Sequence, residues 1–159
     1  MTEAVPSLWP NTLRAITQSP LAILRAQAAQ LKELTGGLLE AEVVVRNVLK
    51  RTGELPERPP YRELELYVAA PKLNNYRRGI LTVEHDFPGA YPATVTSWHL
   101  LPYDSDPETY DFKVPTQNCM NQSEFVDTVR RVLQSKGLTA HFESLIAQIN
   151  DAEAVPAPA

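Results

Sequence analysis

The single cysteine, Cys119, is the residue best suited by type and position to nucleophilic chemistry. It precedes a segment predicted to be helical from Asn121 onward, and the field at a helix N-terminus lowers the pKa of a nearby thiol. The amides of Asn118 and Asn121 could stabilise an oxyanion. No His, Lys or Arg stands beside it in the sequence to activate the thiol. The alternative interpretation is a small buried hydrophobic side chain, which is the usual position of a free cysteine.

The adjacent pair His85-Asp86 has the residue types of an imidazole oriented by a carboxylate, as in general acid–base catalysis. Neighbouring residues of a strand point to opposite faces, so the two side chains do not meet without a bulge. We therefore expect His85 on the inner face of a sheet, as a hydrogen-bonded core histidine.

Acidic and aromatic side chains concentrate around the segment 102–121. The acidic residues carry oxygens of the kind that bind calcium, but they lack EF-hand spacing, which favours a solvated loop; they are Asp104, Asp106, Glu108 and Asp111. Aromatic residues often anchor protein interfaces, and they can equally pin a loop to a sheet. On this ground the candidate partner-binding residues are Trp98, Tyr103, Tyr110 and Phe112.

Composition narrows the function classes. The chain has 159 residues, 43% of them hydrophobic, which is enough for one domain with a core. A net charge of −4 argues against nucleic acid as a partner. One cysteine and three histidines support neither a disulfide nor a transition-metal site, and no motif predicts a cofactor. Neither a signal-peptide pattern nor an apolar span is visible, so we expect no membrane partner and a cytoplasmic protein.

Hydrophobic periodicity predicts a single α+β domain over residues 19–151, with an N-terminal arm at 1–18 and a disordered tail at 152–159. A helix over 20–35 is expected to begin at the cap Ser19 and to end at Gly36-Gly37. Alternation then predicts four strands, at 39–46, 63–70, 76–87 and 94–101.

Two helices are predicted after the aperiodic connection 102–121. Asn121 and Glu124 fit a capping box at the start of the first, and Gly137 is expected to end it. Thr139 is the expected cap of the last helix. Strands joined by short connections favour an antiparallel meander, and the helices must cover one face of that sheet.

The segment Ile80–Pro92, with the sequence ILTVEHDFPGAYP, leads from the third predicted strand through two proline corners. In this respect the chain resembles the ubiquitin-conjugating enzyme fold and its non-catalytic relatives, the RWD domains. The resemblance implies the fold just described and, in the catalytic branch, a thioester cysteine after strand four, the place of Cys119. Ala93-Thr94-Val95 replaces the proline pair of conjugating enzymes, and His99-Leu100-Leu101-Pro102 is no His-Pro-Asn turn.

Three functions remain open at the level of sequence. The first is a non-catalytic protein-interaction domain of conjugating-enzyme-like fold, whose protein partner is unidentified. The second is a transfer enzyme for a ubiquitin-like protein, with Cys119 as the thioester nucleophile. The third is a small-molecule binding domain with a pocket between sheet and helices. The sequence does not specify an oligomeric state.

Overall fold

The computed structural model describes residues 9, 10, 12, 14, 15, 17–48, 60–101 and 113–154. Three helices and five strands lie in this part of the chain, together with a one-turn 3₁₀ helix at Trp98–Leu100. In chain order the elements are α1 (Pro20–Leu34), β1 (Glu40–Val48), β2 (Tyr61–Ala70), β3 (Tyr76–Asp86), β4 (Ala93–Thr96), β5 (Thr116–Cys119), α2 (Gln122–Leu133) and α3 (Lys136–Ala154).

The sheet is an antiparallel meander in the order β1-β2-β3-β4-β5. The α+β class is confirmed, whereas the prediction of four strands is wrong by one. The fifth strand, β5, lies inside the segment predicted as an aperiodic connection. It pairs with β4, with Ala93 opposite Cys119 and Thr96 opposite Thr116. Its sequence TQNC is short and mostly polar, and only Cys119 is buried, so alternation gives no signal there.

The fourth strand is shorter than predicted because Ser97 ends it. The Ser97 hydroxyl donates to the carbonyl of Ile80 at 2.8 Å and accepts from the backbone N–H of His99 at 3.2 Å. The second bond caps the 3₁₀ turn that begins at Trp98. The Thr, Val and Trp content of 94–101 favoured a strand, but the serine side chain competes with the ladder.

One face of the sheet forms the core with the three helices. Alternate residues of β2 are buried on this inner face, and the register continues the row into β1, β3 and β4. Leu24 of α1, Phe125 of α2 and Leu138 of α3 are fully buried against it. The inner-face residues include Val43, Val45, Leu64, Leu66, Val68, Leu81, Val83, Ala93, Val95 and Cys119.

Helix α1 begins and ends where its capping residues require. The Ser19 hydroxyl accepts from Ala22 N–H at 3.2 Å. At the other end the Thr35 hydroxyl donates to Leu31 O at 2.9 Å and accepts from Leu39 N–H at 3.1 Å. Gly37 has a φ of +83°, which glycine adopts without the cost of a Cβ. This turn connects α1 to β1.

The boundary between α2 and α3 differs from the prediction. Helix α2 ends at Leu133, and the Ser135 hydroxyl accepts from Leu138 N–H at 3.3 Å, which caps α3. The expected helix end at Gly137 and the expected cap at Thr139 are both wrong, because a serine four residues earlier than Thr139 satisfies the free N–H groups. Helix α3 continues to Ala154, three residues into the predicted tail.

The connection between β3 and β4 contains two cis peptide bonds, Phe87-Pro88 and Tyr91-Pro92. The Tyr91 hydroxyl donates to the carbonyl of Gln18 at 2.8 Å, and its ring meets Phe125 edge-on with centroids 6.1 Å apart. Tyr91 therefore joins this connection both to the segment before α1 and to α2.

Candidate functional site

The outer face of the sheet, opposite the helices, carries many charged and hydroxyl-bearing side chains among the described residues. None of its side chains is buried, although those of β2 are partly covered by their neighbours. The register places in one surface the outer-face residues Glu40, Glu42, Val44, Arg46, Tyr61, Glu63, Glu65, Tyr67, Arg77, Thr82, Glu84, Asp86, Thr94, Thr96, Thr116 and Asn118.

The outer face is acidic. Six carboxylates stand on it against two arginines, and the carboxylates are Glu40, Glu42, Glu63, Glu65, Glu84 and Asp86. Arg46 lies 3.4 Å from Glu63 and 3.6 Å from Glu65, and Arg77 lies 3.2 Å from Glu42. The sequence analysis missed this surface, because only the pairing register brings the acidic residues of three strands together.

Tyr67 lies at the centre of a small network on this face. The guanidinium of Arg77 stacks 3.9 Å from the Tyr67 ring centroid. A hydrogen bond with the Glu65 carboxylate is the main cause that raises the pKa of the Tyr67 hydroxyl, followed by desolvation. The opposing position in β3 is Gly79, where an added Cβ would lie 3.0 Å from Glu65 Oε1. Glycine at this position leaves room for the carboxylate.

Trp98 stands at the edge of the outer face. Its side chain helps to line a cavity of about 220 Å³ with Glu65, Gly79 and Thr96, beside the β-bulge that interrupts the β2–β3 register. Trp98 is 52% exposed, which is high for an indole. Of the candidate partner-binding residues only Trp98 is described; Tyr103, Tyr110 and Phe112 lie outside the described residues, as do the acidic residues of 102–112.

Cys119 points away from the surface. Its exposed fraction is 0%, and Sγ donates to Thr128 Oγ1 at 3.4 Å. Burial raises the pKa of the thiol, the Thr128 hydrogen bond lowers it and the charge of Glu124 raises it, with a net rise. A buried thiol with a raised pKa has little nucleophilic thiolate at neutral pH.

The two amides considered for an oxyanion have other partners. Asn121 caps α2 by accepting from Glu124 N–H at 3.0 Å, and Asn118 donates to the sulfur of Met120 at 3.6 Å. The structure thus places Cys119 where the buried alternative expects it. Catalysis by Cys119 stays a prediction that no observation tests.

His85 and Asp86 point to opposite faces of the sheet, as alternation predicts. His85 is 6% exposed on the inner side, while Asp86 is exposed. His85 Nδ1 lies 2.6 Å from Gly89 O and 3.0 Å from Asp86 O, so this nitrogen carries the proton and donates. Its Nε2 has no hydrogen-bond partner among the described residues. The pair therefore does not form an imidazole–carboxylate dyad.

A second cavity, of about 390 Å³, lies between the β2–β3 turn and α3. The Tyr76 hydroxyl and His141 Nε2, both lining residues, are 3.2 Å apart. Burial, followed by the charge of Arg78, lowers the pKa of His141. The neutral imidazole and the phenol are two of the polar groups that line this pocket, and Leu73 and Leu145 provide apolar walls.

In the described part of the chain, no three His, Cys, Asp or Glu residues are grouped so that they could hold a metal ion. None of the described helices is long and apolar enough to cross a membrane. Comparison of the chain with protein-family models, with curated proteins and with solved structures gives no match.

Proposed function

We propose that this protein is a non-catalytic interaction domain that binds a protein partner on the outer face of its sheet. The observation that carries the proposal is the exposure of this face: none of its side chains is buried, and Trp98 projects at its edge. Tryptophan is enriched among the residues that carry most of the binding energy in protein interfaces, which supports Trp98 as an anchor.

The charge of the outer face supports a basic protein partner. Six carboxylates against two arginines favour a partner that presents Lys or Arg side chains. Trp98 would anchor the apolar part of such a contact at the cavity beside Gly79. Complementary charge would accelerate association and make the affinity fall with added salt.

The proposal includes the conjugating-enzyme-like or RWD-like fold. The observed order of one helix, an antiparallel meander and two C-terminal helices supports it, as does the double-proline corner after β3. The missing His-Pro-Asn turn and the buried thiol of Cys119 favour the non-catalytic branch. We place the domain in the cytoplasm, where an unpaired cysteine stays reduced.

A photo-crosslinking amino acid at Thr82, in the middle of the outer face, tests the proposal, with the same reagent at Ala147 on α3 as control. We expect a defined protein adduct from Thr82 alone. The yield of this adduct should fall in Trp98→Ala and in the double variant Glu63→Lys/Asp86→Lys. It should not fall in the matched charge reversal Glu143→Lys/Asp151→Lys on α3. Equal crosslinking from both positions, or equal loss in both double variants, would reject the outer face as the site.

The transfer-enzyme alternative depends on Cys119 and is separable from the proposal. A thioester with a ubiquitin-like protein would form through Cys119 and would be lost in Cys119→Ser. The interaction domain, in contrast, keeps its partner in that variant. Partner binding that requires Cys119 would favour the transfer enzyme.

The small-molecule alternative is favoured by one observation, the cavity at Tyr76 and His141. A ligand there would raise the melting temperature by mass action. The test is a thermal-shift screen of small carboxylates and phenols, repeated with His141→Ala. A shift that disappears in this variant would support the pocket.

A further inference from the structure

The edge of β1 that faces away from β2 is distinct from the outer face of the sheet. β1 pairs with β2 in unbroken register over its nine residues, from Glu40 opposite Ala69 to Val48 opposite Tyr61. Among the described residues no strand pairs with its other edge. Every second residue of an edge strand directs its N–H and C=O groups away from the sheet, ready to pair with another strand.

β1 lacks several of the features by which proteins usually protect such an edge, although it carries the charged residues Glu40, Glu42 and Arg46. It contains no proline and no lysine, and no bulge interrupts its pairing with β2. Its centre is the run Val43-Val44-Val45, whose side chains are only half-buried. A long, regular edge strand with an apolar centre is a template for strand addition.

The sequence of β1 is self-complementary about its midpoint, Val44. If a second β1 runs antiparallel with Val44 opposite Val44, Glu42 stands opposite Arg46 of the second copy, and the reverse pair forms by symmetry. Both residues lie on the outer face, and their side chains are 68% and 60% exposed. On the inner face Val43 stands opposite Val45, so apolar contacts continue across the junction.

We propose that β1 pairs with β1 of a second copy of this chain about a two-fold axis at Val44. This register uses all nine residues of the strand. The two meanders then form one continuous sheet of twice five strands, in which both outer faces lie on the same side. The inference is independent of the proposed function, although the dimer would double the extent of the acidic surface.

Other registers are distinguishable because they change the partner of Glu42. With Val43 on the axis, Arg46 faces Glu40 and Glu42 faces Val44. Glu42→Arg would then leave dimerisation almost unchanged. In the proposed register Glu42→Arg places an arginine opposite Arg46 of the second copy. This repulsive pair forms once on each side of the axis.

Sedimentation velocity of the full chain over a range of concentrations tests the inference. We expect the wild type to dimerise. Glu42→Arg and Arg46→Glu should each weaken the dimer by roughly tenfold or more, because two attractive cross-strand pairs become repulsive. An equimolar mixture of the two variants should restore the dimer. In the mixed dimer the two arginines of the Glu42→Arg variant, at positions 42 and 46, face the two glutamates of the Arg46→Glu variant.

Control measurements separate the interface from folding. Glu143→Arg makes the same charge change on α3 and should leave the dimer intact. Circular dichroism and the melting temperature report whether each β1 variant folds. A monomeric wild type, an unaffected Glu42→Arg protein, or folded variants whose mixture stays monomeric would each overturn the proposal.

Discussion

The thiol of Cys119 donates to the hydroxyl of Thr128, with Sγ and Oγ1 3.4 Å apart in the core, and Thr128 in turn donates to Glu124 O at 2.8 Å. This chain of hydrogen bonds ties the end of β5 to the first turns of α2. The same strand-to-helix junction that suggested a reactive thiol therefore holds the sulfur inside the protein.

Cys119 should resist alkylation in the native protein. Burial raises the pKa of its thiol above the ordinary value of 9.0, so the thiolate is scarce at neutral pH and the sulfur is inaccessible. We expect no labelling by iodoacetamide at about pH 7 until denaturant unfolds the chain. The measurement is the labelling rate by mass spectrometry as a function of pH.

The stability of the protein should also respond to this thiol at high pH. The pKa of the Cys119 thiol is higher in the folded protein than in the unfolded chain. The neutral thiol therefore contributes fully to the free energy of unfolding below pH 9.0, and this contribution is lost as the pH rises beyond that value. Cys119→Ala is the control that removes this dependence. Rapid alkylation of Cys119 in the folded protein near neutral pH would contradict its burial and would favour the catalytic hypothesis.

The cap of α2 should contribute measurably to stability. Asn121 accepts from Glu124 N–H at 3.0 Å, and Glu124 Oε2 accepts from Met120 N–H at 2.7 Å. Asn121→Ala leaves a helix N–H without its partner and should lower the free energy of unfolding by about 0.5–2 kcal/mol. Asn121→Asp keeps the acceptor and should retain most of the stability. Urea denaturation of the three proteins measures the difference; equal losses would show that the cap is not the cause.

The predictability of the fold depended on how local each signal was. The Asn121 cap and the start of α1 at Pro20 were predicted correctly, because their residues act within one helical turn. The strand β5 was missed, since its pairing with β4 is a tertiary contact and TQNC has no apolar alternation. The start of α3 was misplaced because Ser135 and Thr139 are both good caps, and in the structure Ser135 is the one that accepts from Leu138 N–H.

The candidate site was predictable only in part. Alternation gave the opposite orientations of His85 and Asp86, whose side chains lie on the inner and outer faces of the sheet. It did not give the acidic surface, which requires the register of three strands. Nor did it give the inward orientation of Cys119, which is set by the Ala93–Cys119 pairing.

His85 should stabilise the connection between β3 and β4. Its Nδ1–H donates to Gly89 O at 2.6 Å and to Asp86 O at 3.0 Å. His85→Ala removes this donor and leaves a cavity, which should lower the free energy of unfolding by about 1–3 kcal/mol. His85→Asn places an amide N–H near the position of Nδ1 and should recover part of the loss. Thermal unfolding followed by circular dichroism measures both; an alanine variant as stable as the wild type would contradict the structural role.

His141 should make the protein less stable in mild acid. Burial, followed by the charge of Arg78, holds its pKa below the ordinary value of 6.5, and the same two causes lower the pKa of His99. The unfolded chain therefore binds protons first as the pH falls. The stability due to the neutral imidazole is complete above pH 6.5 and is lost as the pH falls through the folded pKa.

We therefore expect the melting temperature of the wild type to fall as the pH is lowered from about 6.5 to about 5.5, above the ordinary range of carboxylates. His141→Asn should reduce that slope, and the further substitution His99→Asn should reduce it again. Glu143→Gln, on the exposed side of α3, is the control and should keep the wild-type slope in this range. A proton NMR titration of the His141 ring gives the direction of the shift directly, and a midpoint at or above 6.5 would contradict the burial of this imidazole.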